Sequence, residues 1–149
     1  MRRPRRLALS LVMKRDSACV FCRIVAGSLP SRVVFQDDNT FAFLDLAPAN
    51  PGHTLVVPRE HATDLLDATP EQAASVARTA QLVARLQRER LGAEGVTIFQ
   101  ANGSAGWQDV FHLHTHVVPR YAGDSLRLPW QPQAADVSDL DAAIAELTG

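Results

Sequence analysis

The sequence predicts a single α+β domain built on an antiparallel sheet of about five strands, with one long helix and short flanking helices. Three observations carry this. Apolar, β-rich runs fall in the order β-β-β-α-β-β. The runs are separated by short turn signals rather than by repeated helical crossovers. Neither an internal repeat nor a second apolar core occurs in the 149 residues, a length that suits one domain.

The segment "MRRPRRLALSLVM" opens basic and turns apolar. Its apolar stretch is short for a secretory signal and no clear small-residue cleavage site follows it. Residues 1–17 are therefore expected to form a basic, disordered extension, which a translation start at Met13 would explain most simply. "CVFCRIVAGSLPS" reads as a loop, a short apolar turn of helix and a stop at Gly27 and Pro30. "RVVFQDDNTFAFLDL" places two apolar runs around Asp37-Asp38-Asn39, a hairpin signal. "GHTLVVPR" is a third strand, ended by Pro58.

The clearest helix follows. Thr69 can cap it, Pro70 suits its first position, Gln72 completes a capping box and Gly92 stands just past its end. Val76, Ala80, Val83 and Leu86 recur at helical spacing, a core-packing pattern. "GVTIFQAN" is the fourth strand, "NGSAGWQD" a loop, and "FHLHTHVVPR" the fifth strand. Beyond Tyr121 a Pro-rich stretch leads to a short amphipathic pattern around Leu140, Ile144 and Leu147. The expected domain is 18–121, with 122–149 a tail carrying a short helix.

Composition excludes several classes. Hydrophobic residues make up 46% and charged ones 21%, as in an ordinary globular chain. No apolar run approaches the roughly 20 residues needed to span a bilayer. The net charge is -1, and without Arg2, Arg3, Arg5 and Arg6 it falls to about -5, a poor footprint for a nucleic-acid backbone. Two cysteines are too few for a disulfide scaffold, so the cytoplasm is the default compartment.

Three of the five histidines, His112, His114 and His116, alternate along one segment. In a strand they share one face, opposite Phe111, Leu113 and Val117, the face expected to be buried. Such a face can be merely solvated, can hold a metal, or can supply a nucleophile for covalent catalysis at phosphorus. Cys19-Val20-Phe21-Cys22 likewise reads as a redox dithiol, half a zinc site, or two small buried residues.

"HLHTHVV" resembles the His-x-His-x-His signature of the histidine triad (HIT) superfamily. "CVFCRIVAGSLPSRVVFQDDNTFAFLDLAPANPGHTLVVPREH" is similar to that family's amino-terminal half, and "NGSAGWQDVFHLHTHVVPRY" to its carboxy-terminal signature. The similarity runs from about Ala18 to Tyr121. It implies a HIT-like fold and a nucleotide hydrolase or transferase acting at the α-phosphate of a purine nucleotide. His114 would be the nucleophile, His116 a phosphate hydrogen-bonder, and Gln108 a contact to the phosphate or bridging atom. Asn102 falls at a phosphate-loop position, and Asp45 matches an aspartate that receives the ribose hydroxyls. Phe21, Ile24, Phe43 and Leu46 match the apolar base pocket, and His53 a supporting histidine. Bacterial members of this kind imply a structural zinc on Cys19, Cys22, His61 and His112.

The resemblance also implies a homodimer, joined through a strand and the long helix. Within the class the favoured activity is that of an adenosine phosphoramidase releasing AMP. A dinucleoside polyphosphate hydrolase and a nucleotide-binding regulatory module are the alternatives. Two positions depart from the family pattern: Thr115 stands at a usually apolar place, and Trp107 where a small residue or glycine is common. Trp107 either roofs the leaving-group side of the pocket, or points outward or into a dimer contact.

Overall fold

The computed structural model describes residues 13–149, so the expectations for residues 1–12 lie outside the described residues. The elements are α1 (Val20–Val25), β1 (Val33–Gln36), β2 (Thr40–Leu44), β3 (Thr54–Pro58), α2 (Pro70–Leu91), β4 (Gly95–Gln100), β5 (Thr115–Arg120) and α3 (Val137–Thr148). Asp37 makes the first hairpin. Its Oδ1 accepts the amides of Asn39 and Thr40 at 2.8 and 2.7 Å, which closes the turn between β1 and β2.

All pairings are antiparallel, and the sheet order is β1-β2-β3-β5-β4. The chain leaves β3, crosses the sheet as α2, lays β4 at the far edge and returns as β5 between β3 and β4. The histidine segment thus enters a strand with a neighbour on both sides.

The ends of α2 are as the sequence dictates. Thr69 Oγ1 accepts the Gln72 amide and Gln72 Oε1 accepts the Thr69 amide, the reciprocal capping box. Gly92 adopts the left-handed conformation at φ 66° that ends the helix.

Both sheet faces are covered. On one, Ala42, Val56, Leu113 and Val117 pack with Val76, Ala80 and Val83 of α2. On the other, Phe41, Phe43, Leu55 and Val57 pack with Phe21, Cys22 and Val25 of α1. The predicted stripe is correct for Val76, Ala80 and Val83, but Gln87 is buried where Leu86 was expected, and Leu86 is only partly covered. Gln87 Nε2 reaches across to the carbonyls of Val117 and Gly52 at 2.8 and 3.0 Å. At Gly52 a side chain would collide with Leu91, and φ is +95°, so the turn leading into β3 requires glycine.

Part of the expected extension contacts the rest of the chain. Lys14 O accepts the His61 amide at 2.7 Å and Asp16 O accepts the Cys19 amide at 3.0 Å, so these residues are already tied to the domain. At the other end α3 forms as expected but buries none of its residues. No helix among the described residues is long and apolar enough to cross a membrane.

Candidate active site and metal centre

The triad is not one uniform strand. β5 begins at Thr115, so His112 and His114 lie in the approach to it. The expected burial holds for Leu113 and Val117 but not for Phe111, which is exposed, and the histidine side is covered as well, with His112 at 0% and His114 at 3% exposure. The reason is α1. Phe21 stands edge-on to both rings, with centroids 6.0 Å from His112 and 5.1 Å from His114, and closes that face of the sheet.

Departure from a regular strand frees a carbonyl for other use. His114 Nδ1 lies 2.8 Å from the His112 carbonyl oxygen. A carbonyl only accepts, so Nδ1 carries the proton and donates. In the uncharged ring this leaves Nε2 with its lone pair, the state a nucleophile requires. Asp109 Oδ1 stands 3.5 Å from that Nε2, from a side chain 80% exposed.

His112 faces the other way. Its Nε2 donates to Pro58 O at 2.8 Å, which directs the Nδ1 lone pair into a cluster with Cys19, Cys22 and His61. His112 Nδ1 is 3.4 Å from Cys19 Sγ, 3.5 Å from Cys22 Sγ and 3.2 Å from His61 Nδ1. Cys22 Sγ is 3.3 Å from His61 Nδ1. A tetrahedral zinc with ordinary bond lengths has edges of about 3.3 Å between two nitrogens and about 3.5 Å between nitrogen and sulfur. The cluster has those dimensions, and two nitrogens so close need a cation or a proton between them. The donor set fits zinc.

Burial pushes the Cys22 thiol up, the Asp16 amide opposes this, and neighbouring Cys19 adds to it. A cation reverses that balance by stabilising the thiolate. The backbone brings the two halves together: Leu113 N donates to Ala62 O at 2.7 Å, setting His112 beside His61.

On the far side of His114, the register pairs His116 with Leu55 on β3 and with Phe99 on β4. The Phe99 ring stacks on His116 with centroids 4.0 Å apart and planes 8° from parallel. His53 Nε2 is 2.9 Å from His116 Nδ1 and 3.7 Å from Asp45 Oδ2. Burial lowers His116 to about 4, and neighbouring His114 and His53 add to the effect. Burial lowers His53 as well, against the opposing pull of Asp45. Half-buried Asp45, at the end of β2, keeps Oδ2 toward this group while Oδ1 accepts the Ala47 amide.

The loop residues hydrogen-bond within the protein. Gln108 is buried, and its Nε2 donates to Thr63 O and Val110 O at 2.7 and 3.0 Å while Oε1 accepts the Gly103 amide. Both amide hydrogens are used within the protein, so Gln108 braces the loop that carries Asp109. Asn102 ties the same loop to Leu65 N and Gln100. Phe21, Phe43 and Ile24 lie in one apolar cluster, whereas Leu46 stands apart at 84% exposure.

A family model described as the HIT domain matches residues 26–123. The "Protein hit" of Bacillus subtilis is 36% identical over 124 residues, covering 83% of this chain and 86% of its own length. The chain belongs to the HIT family. A Streptococcus mutans crystal structure superposes with a TM-score of 0.84 at 36% identity, over 89% of this chain and 84% of that one. A Zn-bound histidine triad family protein from Mycobacterium smegmatis is 43% identical, with a TM-score of 0.72, over 87% of this chain and 95% of that one.

Within the HIT framework three participants escaped the sequence reading. Asp109 is an ordinary surface residue type, and Phe99 becomes visible only once β4 is paired in register with β5. Trp130 lies in the tail and stacks on Trp107 at 6.1 Å. Trp107 itself is 66% exposed and has φ 73°, the only positive value at a non-glycine position among the described residues.

Proposed function

We propose that this HIT protein is a purine nucleotide hydrolase acting at the α-phosphate, and that its preferred substrates are nucleoside phosphoramidates. The observation that carries the reading is the bond from His114 Nδ1 to the His112 carbonyl, which aims an imidazole lone pair out of a covered pocket. His114 Nε2 attacks phosphorus and the bond to the leaving amine breaks. Water then attacks the nucleotidyl-histidine, releasing AMP and restoring the imidazole. His116 is the group placed to hydrogen-bond a phosphate oxygen, Asp45 to accept the ribose hydroxyls, and Phe21, Ile24 and Phe43 to border the base.

The choice of leaving group rests on Asp109. A carboxylate beside the attacking nitrogen disfavours a leaving group that carries further phosphates more than it disfavours an amine. This ranks dinucleoside polyphosphates second.

Zinc on Cys19, Cys22, His61 and His112 is structural in this reading, because protein donors fill all four positions. Its contribution is to tie the start of the domain to the triad segment. Reduced thiolate ligands suit a cytoplasmic setting.

A second copy of the chain is the expected partner. β4 is a sheet edge, Ile98 and Phe99 on it are exposed, and they border an apolar groove formed with Ala73, Ala77 and Ala80 of α2. Sedimentation at micromolar concentration tests this, with a dimer expected.

The activity test is AMP release from adenosine 5'-phosphoramidate and, separately, from diadenosine polyphosphates. Release by the wild type and not by His114→Ala is expected, fastest with the phosphoramidate. Nucleotide binding without release would overturn the hydrolase reading and leave a binding module.

A further inference from the structure

We infer that His53 is a positioning residue that sets the tautomer of His116: a hydrogen-bond relay running from the Ala49 amide through His53 holds the His116 proton on Nε2, facing the site.

The relay follows from donor and acceptor rules alone. The Ala49 N–H donates to His53 Nδ1 at 3.0 Å. A backbone amide can only donate, so His53 Nδ1 is a lone pair and the ring proton sits on Nε2. That Nε2 is 2.9 Å from His116 Nδ1, inside hydrogen-bond range, and 3.7 Å from Asp45 Oδ2, outside it. His53 therefore donates to His116, whose Nδ1 must be the acceptor. The His116 proton is left on Nε2, an atom with no protein hydrogen bond among the described residues.

Stacking on Phe99 fixes the ring plane, and the edge contact with His114, centroids 5.0 Å apart, fixes its heading. Both rings must stay neutral. A proton added to His53 Nδ1 would face the Ala49 N–H, and one added to His116 Nδ1 would face the His53 donor. Burial acts in the same direction on both rings.

The same logic decides what Asp45, His53 and His116 are not. Their donor atoms lie within 4.8 Å of one another, close enough to suggest a second cation site. A cation there would need the His53 Nε2 lone pair, and the Ala49 amide has already assigned Nε2 the proton. The cluster is a relay.

The consequence for catalysis rests on the proposed hydrolase reading. With His116 locked as an Nε2–H donor, the triad presents one lone pair, on His114, and one proton, on His116. A phosphate oxygen meets a donor without any ring turning over.

The test is a long-range proton–nitrogen correlation spectrum of zinc-loaded protein labelled in histidine nitrogen, at pH 7. His53 and His116 are expected as neutral rings protonated on Nε2, and His114 as the one ring protonated on Nδ1. His53→Ala should free His116 to average between tautomers and lower kcat for AMP release about tenfold. His53→Gln places an amide donor near the position of the lost Nε2–H, so it should keep the His116 signature and most of the rate.

A wild-type His116 protonated on Nδ1, or doubly protonated, overturns the relay. So does a His116 tautomer unchanged in His53→Ala, or a second bound zinc that removes the His53 Nε2 proton signal. If His53→Ala does not fold, the wild-type spectrum decides. Absence of AMP release from protein with the expected spectrum sinks the hydrolase reading and leaves the relay standing.

Discussion

The carbonyl oxygen of His112 accepts the Nδ1 proton of His114 at 2.8 Å, while the imidazole of His112 turns its own Nδ1 into the Cys19, Cys22 and His61 cluster. One residue thus sets both the metal centre and the orientation of the nucleophile. Anything that displaces His112 moves the backbone that aims His114.

Disrupting the cluster should therefore cost both stability and activity. Cys22→Ala or removal of zinc by a chelator is expected to cost about 3 kcal/mol, as for breaking a buried charged pair. That lowers Tm by roughly 6–12 °C for a chain of this size. AMP release should fall with it, although none of the four donors is proposed to touch substrate. Metal content, thermal unfolding and AMP release on the same samples check this. Full activity in fully stripped protein would break the link.

Stability should also decline with acid through His116. Its folded-state value, near 4, is below the ordinary 6.5. The unfolded chain therefore binds this proton first as the pH drops. The contribution is whole above about pH 6.5 and is lost as the pH falls through about 4, with an upper limit of about 3 kcal/mol. Urea unfolding from pH 7 to 4 should show a flatter profile for His116→Asn than for the wild type, which isolates this group from the thiolates.

Trp107 is held at φ 73°, where a side chain is strained and glycine is not. Its partner is Trp130, and a pair of stacked rings is worth about 0.5–1.5 kcal/mol. Both Trp107→Ala and Trp107→Gly lose the stack, but only glycine relieves the backbone. Trp107→Gly should be the more stable of the two by about 1 kcal/mol, an inversion of the usual order at loop positions. Denaturant midpoints of the two variants decide it.

Asp109 presents its charge 3.5 Å from His114 Nε2 at an exposed position. Screening keeps such an effect near 1 kcal/mol. Asp109→Asn should raise kcat/KM for diadenosine polyphosphates relative to adenosine 5'-phosphoramidate by about fivefold. An unchanged ratio would remove Asp109 from substrate choice.

The sequence by itself determined what local rules control. Thr69, Pro70, Gln72 and Gly92 specified both ends of α2, because caps act over a single turn. Asp37-Asp38-Asn39 specified the first hairpin, and the resemblance to the HIT family implied the four metal donors that meet in space. Tertiary structure alone decided which hydrogen each side chain keeps for chemistry. The resemblance assigned Gln108 to the phosphate or bridging atom, but only the fold sets its amide against Thr63, Val110 and Gly103. Gln87 stood outside the predicted apolar stripe, and only the carbonyls of β5 and the Gly52 turn draw it inward. The imidazoles of His53, His114 and His116 are identical in sequence. Their tautomers differ because the Ala49 amide donates to one ring and the His112 carbonyl accepts from another. Such assignments depend on which donor faces which acceptor across distant parts of the chain, and that exists only once the sheet is closed.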